Sequence, residues 1–145
     1  MIKVCVEVQA GSRERHKFDE RTLEHKEVRQ AAEPYPYSYG FILGTNSADG
    51  DCVDCYIISY QPLKPGMVVE CESIGLLEQN EGGEIDHKIL AALPGEEVTL
   101  NDELLAELQR FIQTLFSRYP ELHIRVGPIL PREAAIRYIE AHSEG

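Results

Sequence analysis

The sequence predicts an α+β protein that is mainly β, built on a barrel or a strongly curved sheet and followed by two helices. Short strand-like segments fill the chain as far as Leu93, and helical periodicity begins only near Asn101. Several strands followed by late helices favour a barrel or a strongly curved sheet. At 145 residues the chain suits one domain with a single core, and we expect residues 1–145 to form it.

The first predicted strand is Ile2–Val8, where apolar residues alternate with more polar ones. This period of two is typical of a half-buried strand and places Glu7 on the face opposite the valines. Residues 13–26 mix both signs of charge with scattered apolar positions, which is compatible with short strands or a hairpin.

Further extended segments follow in the first two thirds of the chain. Prolines and aromatic residues at 33–43 exclude a helix interior there. Apolar runs predict strands at 53–60, 67–77 and 88–93, and an acidic, Gly-rich loop is predicted at 78–86.

Two helices are predicted near the end of the chain. Apolar residues recur at helical spacing from 101 to 118, with Asp102 and Glu103 at the N-terminal end and Pro120 beyond the C-terminal end. A short strand is predicted at 123–126. Pro131 suits a first helical turn and predicts a second helix through about Ala141.

Composition narrows the possible partners and location. The chain is 43% hydrophobic and 27% charged, and no segment approaches the roughly 20 apolar residues of a membrane span. The N-terminal residues lack the apolar block of a signal peptide, so we expect a cytoplasmic protein without a membrane partner. A net charge of -11 argues against nucleic acid as a partner. A phosphate ligand would need bound cations, helped by locally placed Lys or Arg.

Three aspartates, Asp49, Asp51 and Asp54, lie in the segment DGDCVD directly before an apolar run. Like charges this close are most stable when a cation or a proton neutralises them, and oxygen ligands favour Mg²⁺, Mn²⁺ or Ca²⁺. A solvated acidic turn is the alternative. An EF-hand is a poor match, because its loop needs Gly where Asp54 stands and Glu where Tyr60 stands.

A second acidic group, formed by Glu81, Glu84 and Asp86, precedes Lys88, and Glu7 ends the first strand. Loops that flank strands can bring these acids to the first cluster. Such a set could hold several divalent cations and suits hydrolysis of a phosphoanhydride, since the cations neutralise phosphate charge and a free carboxylate can take a proton.

The four cysteines permit another hypothesis. Cys52 and Cys55 form a C-x-x-C pair, which raises zinc or redox chemistry in an intracellular chain. Cys5 and Cys71 stand alone in strand-like runs, so a second close pair is missing. We therefore expect the cysteines to be small buried hydrophobic residues.

Four motifs occur in a fixed order: YGFI at 39–42, DGDCVD at 49–54, PLKPG at 62–66 and EGGEIDHK at 81–88. Together they resemble the soluble family I inorganic pyrophosphatases, over roughly residues 4–119. Cys52 replaces the proline that is usual in the family's D-x-D-P-x-D signature.

The resemblance implies an OB-like curved five-stranded β-barrel with two C-terminal α-helices. It also implies an inorganic diphosphatase, which hydrolyses pyrophosphate to two phosphates in a Mg²⁺-dependent reaction with no covalent intermediate. A metal-activated water attacks phosphorus, several Mg²⁺ ions serve each site, and Mn²⁺ is possible. Bacterial relatives usually form homohexamers, so a homo-oligomer is expected.

The resemblance also implies a role for each site residue. The activating metals would be held by Asp49, Asp54 and Asp86, and further Mg²⁺ ions by Glu81 and Glu7. Asp51 would assist deprotonation of the attacking water. Phosphate would be contacted by Lys88, Tyr39, Tyr119 and Arg15, the last standing where the family has Lys.

The chain departs from the family mainly at phosphate-binding positions. Lys17 stands where an acid is usual, Glu27 where an Arg is usual and Pro120 where a Lys follows the Tyr. Arg29, or else Lys26, could replace the missing Arg. These changes leave open a hydrolase of another phosphoanhydride, or a catalytically weak or inactive binding or assembly module; a zinc-binding module is a more distant alternative.

Overall fold

The computed structural model describes residues 1–46 and 50–144. The predicted metal ligand Asp49 therefore lies outside the described residues. The rest of the predicted aspartate segment, residues 50–54, is described. The described strands are β1 (Ile2–Val8), β2 (Glu14–Phe18), β3 (His25–Gln30), β4 (Ser38–Ile42), β5 (Asp54–Ile57), β6 (Val68–Glu81), β7 (Glu84–Ile85), β8 (Lys88–Ala92) and β9 (Ile124–Pro131), and the α-helices are α1 (Asp102–Leu115) and α2 (Arg132–Ala141).

Five strands close into a ring in the order β1, β4, β5, β8 and β6, and β6 pairs back onto β1. Val4 shows the closure, because it lies opposite Ile42 on β4 and opposite Val69 on β6. β5 and β8 run parallel, whereas the other neighbours in the ring are antiparallel. This ring with two helices confirms the predicted OB-like α+β fold.

The barrel interior is filled by side chains from every strand of the ring. Val4 and Val6 on β1 are fully buried, as are Ile57 on β5 and Ile89 on β8. Burying each such side chain contributes about 1.5–3 kcal/mol. The core therefore holds the strand ends that carry the polar site residues.

Gly40 is required by the close approach of β4 to β1. A Cβ atom at this position would collide with the carbonyl oxygen of Cys5. The glycine of the YGFI motif is thus a packing requirement of the barrel.

The two predicted helices form with small changes in their bounds. The Asn101 side chain caps α1 by accepting a hydrogen bond from the Leu104 amide at 2.9 Å. One apolar face of α1, which includes Leu108 and Ile112, is buried against the sheet, and the helix ends at Leu115 rather than 118. α2 forms through Ala141 as predicted, but it begins at Arg132, because Pro131 ends β9 and is the N-cap residue rather than part of the first turn. None of the described helices is long and apolar enough to cross a lipid bilayer.

Two predictions about β-structure were wrong. The segment 78–86 is not a loop, because β6 continues to Glu81 and turns into β7 through Gly82 and Gly83, whose φ values are 59° and 93°. The Asn80 side chain accepts a hydrogen bond from the Gly83 amide at 2.7 Å and fixes this turn. The strand predicted at 123–126 extends to Pro131, because it pairs along β6.

Candidate active site

Parallel pairing of β5 and β8 brings the two acidic motifs together. Cys55 lies opposite Ile89, so the preceding residues of the two strands, Asp54 and Lys88, are also neighbours. The Lys88 Nζ atom is 2.9 Å from Asp54 Oδ2 and 3.1 Å from Asp86 Oδ2. The oxygens of two distant segments therefore converge on one cation.

Charge is retained at this buried position because the ion pairs outweigh burial. Lys88 is only 6% exposed, and burial alone would favour its neutral form. Burial also disfavours the charged form of Asp54, but the Lys88 ammonium and a hydrogen bond from Tyr39 lower the pKa of Asp54. In turn, Asp54 and Asp86 raise the pKa of Lys88.

These groups face a small cavity of about 140 Å³, which we call the acidic cavity. Its lining includes Arg15, Tyr39 and Gln79 beside the Asp54–Lys88 pair. Among the described residues, the buried Gln79 Oε1 and Arg15 Nε atoms have no hydrogen-bond partner. Buried polar atoms without a partner are costly, so both suit contact with a bound polar group. Gln79 was not predicted as a site residue, although a polar residue inside the β6 pattern was a usable signal.

Glu7 lies beside the cavity, in contact with cations. It is 3% exposed, and its Oε1 and Oε2 atoms are 3.9 Å from Arg15 Nη2 and 3.8 Å from Lys17 Nζ. Arg15 and Lys17 are two apart on β2, so they project from the same face of the strand. Burial raises the pKa of Glu7 to about 7 even though these cations lower it, with Asp54 and Glu20 adding to the rise.

The aspartate segment is held by hydrogen bonds from the amides of Cys52 and Val53. Thr45 Oγ1 donates to the Ile42 carbonyl at 2.7 Å and accepts from the Val53 amide at 2.9 Å. The Cys52 amide donates to Glu20 Oε1 at 2.9 Å. Burial and the nearby Asp51 raise the pKa of Glu20, so this unpredicted carboxylate belongs to the electrostatics of the segment.

Three of the predicted residues, Asp51, Glu81 and Tyr119, do not line the acidic cavity, and Asp51 is exposed. Glu81 is at the β6–β7 turn, opposite Glu84, and does not line the cavity. Tyr119 is 53% exposed and lines a larger cleft of about 590 Å³. We call it the arginine cleft, because its lining includes Arg13, Arg15, Arg29 and Arg118.

The cysteines are placed as the sequence predicts for buried residues. Cys5, Cys55 and Cys71 are buried, Cys52 is half-buried, and all four are free thiols. Burial raises the pKa of Cys5, Cys52 and Cys71 to about 11, which disfavours the thiolate form that binds zinc or acts as a nucleophile.

Hard divalent cations fit the chemistry of the acidic cavity. Within residues 1–46 and 50–144, no three His, Cys, Asp or Glu side chains are already arranged as a metal site. Asp54 and Asp86 nevertheless both direct carboxylate oxygens at the Lys88 ammonium. Oxygen is also the donor that Mg²⁺, Mn²⁺ and Ca²⁺ prefer. Asp49, the third predicted ligand, lies outside the described residues.

The closed five-stranded barrel carries the acidic cavity beside a cationic cleft. This arrangement suits a class of proteins that bind phosphate compounds together with a divalent cation. The family model described as inorganic pyrophosphatase matches residues 4–144. The chain belongs to the inorganic pyrophosphatase family, whose members use a divalent metal cofactor.

Individual relatives agree with this assignment. The inorganic pyrophosphatase of Synechocystis is 34% identical over 137 residues, covering 90% of this chain and 80% of that protein. The one from Nanoarchaeum equitans is 31% identical and covers 99% of this chain and 96% of its own length. The solved structure of the Thermus thermophilus inorganic pyrophosphatase matches with a TM-score of 0.85 and 27% identity, over 97% of this chain and 87% of that chain.

Proposed function

We propose that this chain is an inorganic diphosphatase that hydrolyses pyrophosphate to two phosphates with Mg²⁺. Family membership supports the reaction. The observation that supports this site for it is that Asp54 and Asp86 both contact the Lys88 ammonium, in a cavity that adjoins the arginine cleft. Oxygen donors for a metal and guanidinium donors for phosphate then lie side by side.

The proposed metal ligands are the carboxylates around the acidic cavity. Asp49, Asp54 and Asp86 would hold the activating cations, and Glu81 and Glu7 would serve further ones. Glu7 would have to exchange its contacts with Arg15 and Lys17 for such an ion. Bound divalent cations would neutralise substrate charge and make water more acidic.

The other proposed residues bind phosphate or move a proton. Asp51 would accept the proton of the attacking water. Lys88 and Tyr39, which both contact Asp54, would donate to phosphate oxygens inside the cavity. Arg15 lines both cavity and cleft, and Tyr119 lines the cleft, so these two would bind phosphate on the outer side.

The proposal is tested by phosphate release from pyrophosphate with Mg²⁺, with Mn²⁺ and with EDTA. Asp54→Asn removes a charged donor and should abolish metal-dependent release. Asp102→Asn is the matched control, because Asp102 lies in the exposed first turn of α1. Release without added metal, or equal rates in Asp54→Asn and wild type, would contradict the proposal.

We further propose a cytoplasmic homo-oligomer, with a hexamer as the expected state by family resemblance. Light scattering after size-exclusion chromatography measures the mass directly, and a mass of 16.4 kDa would show a monomer instead.

A further inference from the structure

The arginine cleft concentrates positive charge in an acidic protein. Among the residues that the structure describes, four arginines line it and no Asp or Glu does. The chain has 25 acidic residues against 14 Lys and Arg, so a cleft without acids is not what average composition would produce. This distribution favours an anionic ligand.

Two of the four guanidinium groups are already compensated by carboxylates. Arg15 contacts Glu7 at 3.9 Å, and Arg29 contacts Glu27 at 2.8 Å. Arg13 and Arg118 are exposed and make no ion pair with any residue in the described part of the chain. Their charge is therefore available to a ligand.

Strand pairing places the two compensated arginines side by side. Arg15 and Arg29 lie directly opposite each other on β2 and β3, and both line the cleft. Because Glu7 and Glu27 compensate their charges, binding of a further anion depends mainly on Arg13 and Arg118.

The end of α1 provides the other wall of the cleft. The helix finishes at Leu115, and the Tyr119 amide then bonds to the Phe116 carbonyl at 2.9 Å. This turn holds Arg118 and Tyr119 at the cleft. Arg15, Tyr35, Leu115 and Phe116 line both the cleft and the acidic cavity, so one ligand can reach both.

We infer that Arg118 and Arg13 bind the phosphoryl group of the substrate that lies farther from the acidic cavity. Arg118 supplies, from the position before Tyr119, the cation that Pro120 cannot supply after it. Two guanidinium forks can each donate paired hydrogen bonds to phosphate oxygens. The inference rests on the proposed function for its substrate, but anion binding by the cleft can be measured without turnover.

The first experiment measures binding of inorganic phosphate to the Mg²⁺-loaded protein by titration calorimetry. Arg118→Ala and Arg13→Ala should each weaken binding by about 10-fold or more, since hydrogen bonds to charged groups are among the strong ones. Arg118→Lys should restore only part of the loss, because an ammonium lacks the planar fork. Arg110→Ala is the matched control, as Arg110 lies on α1 but lines a different cavity.

The second experiment measures steady-state pyrophosphate hydrolysis with Mg²⁺ by the same variants. Arg118→Ala should raise KM by about 10-fold with a smaller change in kcat, because the contact is made in the bound substrate as well as during reaction. Arg110→Ala should leave both constants unchanged.

The two experiments separate this inference from the proposed function. Equal phosphate affinity in wild type, Arg118→Ala and Arg13→Ala overturns the inference, as does absence of phosphate binding by the wild type, whatever the hydrolytic rate. Loss of phosphate binding in these variants, in a protein that does not hydrolyse pyrophosphate, supports the cleft assignment and rejects the proposed substrate. Unchanged thermal unfolding of each variant shows that the fold is intact.

Discussion

Replacing Lys88 with methionine leaves two carboxylates without their shared cation. In the native protein the ammonium is 2.9 Å from Asp54 and 3.1 Å from Asp86. Removing one partner of a buried ion pair typically costs about 3–5 kcal/mol, because the remaining charge stays desolvated. The two aspartate side chains are 23% and 28% exposed, which places the expected loss at the low end, about 3 kcal/mol.

Urea unfolding at pH 7 in EDTA measures this loss, with Lys64→Met as the control because Lys64 is exposed. Mg²⁺ should then stabilise Lys88→Met more than the wild type, since the ion no longer competes with the ammonium for Asp54 and Asp86. This second difference separates electrostatics from the general cost of replacing a buried side chain.

The pH dependence has a defined sign. Burial opposes ionisation of Asp54, but Lys88 outweighs it and lowers the pKa of Asp54 below 3.8 in the folded state. The stabilising pair is therefore fully present above that value and is lost as the pH falls through the lowered pKa. The gap between wild type and Lys88→Met should shrink below about pH 4. A loss under about 1 kcal/mol at pH 7, or equal stabilisation of both proteins by Mg²⁺, would refute the reasoning.

Three further predictions concern stability in EDTA, measured by urea unfolding. Burial raises the pKa of Glu7 from 4.5 to about 7, so the unfolded chain ionises first and stability falls between about pH 5 and pH 8. Over this pH range the free energy of unfolding of Glu7→Gln should therefore fall by about 2.5 kcal/mol less than that of the wild type. Gly40→Ala should cost about 3 kcal/mol or more, because the new Cβ collides with the Cys5 carbonyl. Thr45→Val should cost about 2 kcal/mol, because the buried Val53 amide loses its acceptor, while Thr45→Ser should retain most of the stability.

Each of these predictions has a clear contrary result. Parallel pH curves for Glu7→Gln and wild type would mean that the folded carboxyl titrates normally. A Gly40→Ala protein as stable as wild type would show that β1 and β4 can separate without loss. Equal stability of Thr45→Val and Thr45→Ser would show that the hydroxyl does not hold the aspartate segment.

Local pattern predicted the elements whose burial is regular. The alternation in Ile2–Val8 and the helical period after Asn101 follow from one buried face each, and both elements formed close to the predicted bounds. The 78–86 segment failed for a physical reason. Its acids and glycines are typical of a loop, but partners on both sides of β6 extend the strand to Glu81.

The site depended on information that local pattern does not contain. Asp54 and Lys88 are 34 positions apart, and they meet only through the parallel pairing of β5 with β8. Motif order and the family resemblance supplied that link. Glu20 and Arg118 were missed because each reaches the site through a turn whose path is set by tertiary packing.

The bond from the Cys52 amide to Glu20 is possible only because this chain departs from the family signature at position 52. Proline has no amide hydrogen and could not make this bond, so a carboxylate at position 20 would face the aspartate segment without a donor. A substitution to proline at 52 would remove this bond and leave the half-buried Glu20 carboxylate to be solvated by water. An engineer who restores the family signature should therefore vary position 20 at the same time.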